Sequence, residues 1–325
     1  MTPHTLEALR LLEDGKFHSG QDLARALGVS RESVSNALER VEDHGLELER
    51  VRGRGYRLGT PVQWLDARRI SAAMGAGARR YTLELVDRTA STNDDVLARV
   101  AQDAPSGLVR AAELQTRGRG RRGRAWHTGL GGALTFSILW RFVQGAGLLS
   151  GLSLAVGVAL LRVVRRHGAG EAMLKWPNDL LWRHRKLAGI LIELSGEVMG
   201  PTAAVIGIGL NVRLAPSVVN EIDQPVVDLA GIGVAVDRNV LLGECLAELN
   251  VVLTEFSDRG FAPFARDWNQ AHAYHDKMVR LRLPDSTIQE GRVAGVAEDG
   301  ALMLAVRSGT RKFYGGELTL RPVKT

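Results

Sequence analysis

Residues 115–126 read QTRGRGRRGRAW, five arginines and three glycines set between two apolar stretches. The string Gly118-Arg-Gly120-Arg-Arg-Gly123 satisfies the G-x-G-x-x-G pattern, so its reading decides whether the chain is a dinucleotide-binding fold. A dinucleotide turn needs its third glycine at the opening of a helix whose N-terminus faces the pyrophosphate. Here Gly123 leads into RAWHTGLGG, which cannot begin a stable helix, and the match is accidental. No G-x-x-x-x-G-K-[ST] phosphate loop occurs either. A disordered RNA-binding arginine-glycine tract is a third reading, but the stretch is brief and is bounded by apolar strands and Trp126. What remains is an ordered loop in which glycines let the backbone approach a ligand and arginine forks offer paired contacts to carboxylate and phosphate. Such a loop repels itself when empty, so it is expected to be mobile without an anion and ordered with one.

The surroundings are those of an ordinary globular protein. At 325 residues and 45% apolar content the chain can build two or three domains, and its net charge of +6 suggests an anionic partner. One cysteine, Cys245, excludes a disulfide framework and a four-thiolate zinc site, and fits a reducing cytoplasm. The N-terminus lacks the apolar core and cleavage site of a signal peptide, and no apolar run of about 18 residues reads as a membrane span.

Three segments follow from the patterning. Residues 1–60 read as helix, turn, helix, with Ser19 and Ser30 as N-caps and the last helix running through Val34, Leu38 and Val41 to a stop at Gly45. LELERV-RGRG-YRL then gives two strands and a turn, a wing beside the helices. On this reading Arg31, Ser35, Asn36, Arg52 and Arg54 present a basic and polar surface to DNA. The alternative is a small helical cap with a solvated face. Residues 61–271 alternate strand-like runs (YTLELV, GLVRAAEL, ALTFSILW, AMLKW, DLLW, KLAGILIEL, AAVIGIGLNV) with helix-like ones and predict a mixed sheet packed with helices. Residues 272–325 show short alternating strands with glycine turns, a small barrel-like domain.

Four further strings complete a pattern: STN at 91–93, KWPND at 175–179, RKLAGIL at 185–191 and GIGLNV at 207–212. Together with the arginine loop, in this order and spacing, they closely resemble biotin-protein ligase, and the N-terminal segment resembles the bifunctional bacterial form that is also the biotin operon repressor. The resemblance covers nearly the whole chain. It implies an α/β (α+β) fold with a winged helix-turn-helix, a central class II synthetase-like mixed sheet and a C-terminal SH3-like β-barrel. It implies activation of biotin by ATP to biotinyl-5'-AMP, with Mg²⁺ carried on the nucleotide phosphates and no tightly bound cofactor, then transfer to a lysine of the biotin carboxyl carrier protein of acetyl-CoA carboxylase. The further partners it implies are operator DNA and a second copy of the chain when the adenylate is bound.

Carried over residue by residue, the resemblance gives Ser91, Thr92, Asn93, Gln115, Arg119, Gly120, Arg121, Lys186, Gly189 and Gly207 to biotin. It gives Arg121, Arg124, Trp126, Lys175, Asn178, Lys186 and Asn211 to the nucleotide. Lys186, Arg121 and Arg119 carry the chemistry, and Asp179 supports the loop or helps hold Mg²⁺. The residues suit these tasks. Ser91, Thr92 and Asn93 are small polar groups matched to a neutral ring with two N–H donors and one carbonyl, and Ser91 with Asp94 also reads as a helix cap. Fixed cations bring together two anions, a carboxylate and the α-phosphate, that repel each other. Taken alone, Lys186 is a solvated strand end and Asn211 a residue that ties a turn. Arg117 stands where the family commonly has a small residue, and VVNEIDQPVVDL lacks the aromatic of some relatives' adenine-covering loop, leaving Val226 or a neighbour to serve. Arg321 in GGELTLR resembles the family's C-terminal domain. A ligand-sensing repressor without ligase activity and a lipoate-type ligase are the competing functions.

Overall fold

The computed structural model describes every residue except 1, 3, 197–199, 284, 286, 315–318 and 323–325, and describes 319–322 by their backbone alone. Three short helices open the chain: α1 (Thr5–Leu11), α2 (Gly20–Leu27) and α3 (Arg31–Leu38). Ser19 and Ser30 cap the second and third, each hydroxyl accepting the N–H three residues on at 3.1 Å. Leu9, Leu12, Leu23, Val34 and Leu38 close a small core between them. The wing is β1 (Leu48–Val51) paired antiparallel with β2 (Gly55–Leu58).

One expectation here needs correcting. The last helix of this segment does not run to Gly45: α3 ends at Leu38, and Val41–His44 forms a separate 3-10 turn. The reason is a tertiary contact. Arg50 of β1 donates to the Leu38 carbonyl at 2.6 Å and pairs with Glu42, so a strand residue caps the helix end where the sequence pattern continues.

The central body begins with α4 (Ala67–Met74), followed by β3 (Thr82–Thr89), α5 (Thr92–Val100), β4 (Leu108–Gln115), β5 (Ala133–Phe142) and α6 (Leu152–Arg166). It continues with β6 (Ala172–Lys175), β7 (Asp179–Trp182), β8 (Arg185–Gly196), β9 (Thr202–Asn211), α7 (Pro216–Asn220), α8 (Arg238–Arg259) and α9 (Ala265–Gln270). The strands form one mixed sheet in the order β3-β4-β5-β9-β8-β7-β6, parallel at β3/β4 and antiparallel elsewhere. Every strand-like run of the central sequence is therefore a strand. Helix α4, with only Ile70 and Met74 buried, gave no such signal. It is held by α8 at Gly243, where a Cβ would stand 2.6 Å from the Ile70 carbonyl. The stretch Ala146–Arg166 is long and apolar enough to cross a membrane, yet 67% of its apolar window is buried within the protein, against α8 and the sheet.

The C-terminal module is a five-stranded antiparallel sheet of β10 (Met278–Arg282), β11 (Ile288–Val296), β12 (Leu302–Val306), β13 (Gly309–Phe313) and β14 (Thr319–Pro322), ordered β13-β12-β11-β10-β14. Its inner residues Val279, Leu281, Val293 and Leu304 join the same hydrophobic cluster as the central sheet. Trp176 Nε1 donates to Gly300 O at 3.1 Å, and the Ser150 hydroxyl to Asp299 O at 2.7 Å.

The N-terminal module is fastened through residues 61–66. Arg238 and Glu113, 2% and 3% exposed, pair at 2.8 Å. Arg238 donates to Gln63 O, Glu113 accepts from Leu65 N, and Asn239 accepts from Asp66 N at 2.7 Å. Leu114, the next residue on β4, packs with Leu130, Val62 and Trp64 in the core of the helical module.

Candidate active site

The site forms where α5 starts and β4 ends. Ser91 is extended (φ −156°) and its hydroxyl accepts the Asp94 N–H, which starts the helix and leaves Thr92 and Asn93 as its first residues. All three are nearly buried. Gln115, the last residue of β4, accepts the Thr92 N–H at 2.7 Å. Strand β9, separated from β4 by β5, passes beneath with glycine at 207 and 209. A Cβ on Gly207 would lie 2.1 Å from Asn93 Oδ1, and one on Gly209 2.3 Å from the Trp126 ring, so both side chains rest directly on strand backbone.

The arginine segment folds back over this floor as a tight hairpin. Trp126 N–H donates to Gly118 O at 2.8 Å, Gly120 N–H to Arg124 O at 2.7 Å, and Arg119 bridges Ala125. Gly118 is required at the crossing because a Cβ there would meet Trp126 O at 2.4 Å. Carboxylates and amides offset the hairpin's charge. Arg119 contacts Glu193 at 2.8 Å and Asp94, and Arg121 donates to Asn178 Oδ1 at 3.2 Å. The Arg117 N–H bonds Ala90 O at 2.9 Å while its side chain faces solvent.

Two cavities meet at this hairpin. The first is lined by Ser91, Thr92, Asn93, Gln115, Arg119, Gly120 and Arg121, with Asn178, Gly189 and Gly207 also on its wall. The second lies on the other side of Trp126 and is lined by Arg124, His127, Asn211, Glu221 and Val226. Trp126 and Lys186 line both. Lys186 Nζ stands 2.9 Å from Asp179 Oδ1 and 5.6 Å from the centre of the Trp126 ring.

Each sequence-derived residue can now be placed. All ten assigned to biotin line the first cavity. Of those assigned to the nucleotide, Arg124, Trp126, Lys186 and Asn211 line the second, whereas Arg121 and Asn178 lie on the first. Lys175 lines neither and lies 4.0 Å from Asp179. The Asn211 amide donates to Val227 O at 3.0 Å and so straps residues 225–227 against Lys186, whose N–H bonds Pro225 O at 2.9 Å. The strap brings Val226 to the cavity wall, and the aromatic groups there come from the opposite side, Trp126 and His127, the latter 3.1 Å from Glu221. Among the described residues no group of three or more His, Cys, Asp or Glu side chains is placed to hold a metal. Asp179 is flanked by two lysines, Lys186 at 2.9 Å and Lys175 at 4.0 Å. The side chain of Arg321 lies outside the described residues.

Sequence reasoning passed over Ser137 and Glu193. Ser137 is fully buried in β5, 2.6 Å from Asn93 Oδ1, and Glu193 in β8 accepts from Asn93 Nδ2 at 2.7 Å while pairing with Arg119. The available signal was a hydroxyl and a carboxylate inside the apolar runs ALTFSILW and ILIEL.

On the helical module, Arg31, Ser35 and Asn36 share the exposed face of α3, with Arg52 and Arg54 exposed on the wing turn. Arg54 stacks on Phe17, its guanidinium 4.1 Å from the ring centre.

Comparison with known proteins agrees with this architecture. The model of the biotin/lipoate A/B protein ligase family matches residues 85–211, a helix-turn-helix model residues 4–57, and the biotin protein ligase C-terminal domain model residues 274–321. The bifunctional ligase/repressor BirA of Salmonella typhimurium is 37% identical over 97% of both chains, and its Escherichia coli namesake is 37% identical with the same coverage. A biotin protein ligase from Aquifex aeolicus, solved in complex with biotin and ATP, superposes with a TM-score of 0.64 at 27% identity, over 74% of this chain and 99% of that one. The chain belongs to the biotin protein ligase family, in the form that carries an N-terminal helix-turn-helix domain.

Proposed function

We propose that the protein activates biotin with ATP to biotinyl-5'-AMP, transfers the biotinyl group to one lysine of a biotin carboxyl carrier protein, and represses biotin-synthesis genes by binding their operator. The observation that carries the enzymatic half is the position of Lys186. It stands at the junction of the two cavities, so one ammonium reaches an acid seated in the first and a phosphate seated in the second.

In the first step a biotin carboxylate oxygen attacks the α-phosphorus of ATP and pyrophosphate leaves. The obstacle is repulsion between two anions. Lys186, Arg119 and Arg121 lower it by screening the approach and by stabilising charge that accumulates on the five-coordinate phosphorus, so their task is positioning and electrostatics. Arg119 is held against Glu193 and Asp94, and an incoming carboxylate competes for the same fork. The polar floor of Thr92, Asn93 and Gln115 takes the ureido ring. Trp126 divides ring from nucleotide, with its face available to adenine beside Val226. In the second step the acceptor lysine, as free amine, attacks the anhydride carbonyl carbon. AMP departs, the amine gives up a proton, and an amide remains. Mg²⁺ accompanies the nucleotide phosphates.

For the DNA half, the exposed face of α3 enters the major groove, and Arg52 and Arg54 of the wing meet phosphates. A second copy joins when the adenylate is bound, and the site of action is the cytoplasm. The decisive measurement is pyrophosphate release with biotin as the variable, followed by transfer to a carrier domain. Biotin-dependent release and one modified lysine are expected. Absence of release with active-site concentrations of biotin and ATP sinks the ligase reading, and preference for lipoate in a competition redirects it.

A further inference from the structure

We infer that Ser137 is a positioning residue that sets the hydrogen-bond polarity of the first cavity's floor, so that it accepts the N–H donors of a cyclic urea. The inference rests on the biotin reading above and adds the source of its selectivity. Ser137 lies in the middle of β5, fully buried and opposite Gly207 on β9. Its Oγ is 2.6 Å from Asn93 Oδ1 and 2.7 Å from Thr92 Oγ1.

A hydroxyl has one proton to give, so the direction of each contact can be worked out. Asn93 Nδ2 lies 2.7 Å from Glu193 Oε2 and 3.3 Å from Leu191 O, which are both acceptors. Turned over, the amide would set its oxygen against a carboxylate and a carbonyl. The nitrogen therefore faces Glu193, Oδ1 faces Ser137, and the Ser137 proton goes to Oδ1. The Ser137 hydroxyl also faces Thr92 Oγ1, and the Thr92 proton goes to Gln115 Oε1 at 3.1 Å, whose second lone pair accepts the Thr92 N–H at 2.7 Å. The Gln115 amide is thereby turned with Nε2 toward Gly118.

Donation thus runs outward from Ser137, to Asn93 and on from Asn93 to Glu193 on one side, and towards Thr92 and on from Thr92 to Gln115 on the other. Asn93 and Thr92 spend their side-chain protons within the protein and keep lone pairs for the cavity. Gln115 Nε2 keeps protons. Two acceptors and one donor complement a ring with two N–H groups and one carbonyl, whereas a dithiolane ring of the lipoate kind has no donor to offer. Gly207 lets the Asn93 carbonyl lie flush on the strand, where a Cβ would stand 2.1 Å from it.

The test measures biotin and ATP dissociation constants by calorimetry on the full chain, as wild type, Ser137→Ala and Ser137→Cys, with melting curves alongside. Loss of the Ser137 donor to the Asn93 carbonyl, which must stay oriented, predicts biotin binding about tenfold weaker in Ser137→Ala. Dethiobiotin, which keeps the urea, falls by the same factor. Ser137→Cys, with a weak donor of similar shape, falls in between, and in turnover the change appears in KM for biotin more than in kcat. Wild-type biotin affinity in Ser137→Ala overturns the inference, as does an equal loss for ATP, which marks a merely structural role. If Ser137→Ala does not fold, Ser137→Cys against wild type decides. A wild-type protein that binds biotin but releases no pyrophosphate overturns the ligase reading and leaves this comparison valid.

Discussion

Lys186 shows how a site can be held ready before its substrates arrive. Its side chain is 15% exposed and its ammonium rests against Asp179, so the charge is oriented by a partner that two anions can outcompete. Lys186→Ala is expected to lower the rate of adenylate formation by about 10²–10³-fold, as for loss of one well-placed electrostatic donor. Melting should change far less, because Lys175 remains 4.0 Å from Asp179 to share its charge. Pyrophosphate release and a thermal melt on the same preparation check both halves, and adenylation at the wild-type rate would remove Lys186 from the site. A second residue ties stability to pH. His272 is buried with Nδ1 accepting the Tyr274 N–H at 3.1 Å, and burial pushes its pKa down to about 3. The ring stays neutral in the folded protein but takes up a proton near pH 6.5 once unfolded. Its contribution is therefore present above pH 6.5 and is lost progressively as pH falls toward 3, with an upper slope of about 1.4 kcal/mol per pH unit. Urea unfolding at pH 7 and pH 5 should show a smaller difference in His272→Gln than in wild type. Equal differences would remove His272 as the cause.

At the scale of elements, strand β4 does three things with three consecutive residues. Glu113 pairs with Arg238 and fastens the linker, Leu114 packs in the core of the helical module, and Gln115 forms the pocket floor. All three sit at the C-terminal end of the strand, where it meets the linker, α8 and the start of α5. The Glu113–Arg238 pair is nearly sealed from water, so breaking it leaves a buried charge without its partner. Glu113→Ala is expected to cost about 3–5 kcal/mol in urea unfolding. A loss below about 1 kcal/mol would mean that water or Gln63 takes over the partner's place. The cationic hairpin is an element of the opposite kind, stitched by its own backbone bonds and by carboxylates that a ligand can displace.

For the whole molecule, the central sheet and the C-terminal sheet share one apolar interior, and the helical module is joined to them at the linker and at Leu114 and Leu130. Operator binding should fall with rising salt, and Arg31→Ala or Arg52→Ala should each weaken it and lower the salt slope by about 1 if the residue meets a phosphate. Full retention of binding in both variants would take α3 and the wing off the DNA. Because neither residue lines either cavity, pyrophosphate release by these variants provides an internal control.

The local sequence determined a good deal. Alternating apolar runs specified every strand of the central sheet, Ser19 and Ser30 announced their helices, and the arginine-glycine string could be rejected as a dinucleotide turn because nothing after Gly123 starts a stable helix. Those are short-range matters of periodicity, capping and backbone freedom, and a linear pattern carries them. The end of α3 at Leu38 was set by Arg50 reaching across from the wing, and α4 by an absent side chain at Gly243, which no local pattern records. The same holds within the site. Residue types marked the cationic loop and the resemblance marked Ser91, Thr92 and Asn93, but Ser137 and Glu193 meet Asn93 only because β5 and β8 bring them to it, and Lys186 lines two cavities only because Trp126 lies on Gly209. A hydrogen-bond partner or a cavity wall is a relation between distant segments, and only packing decides it.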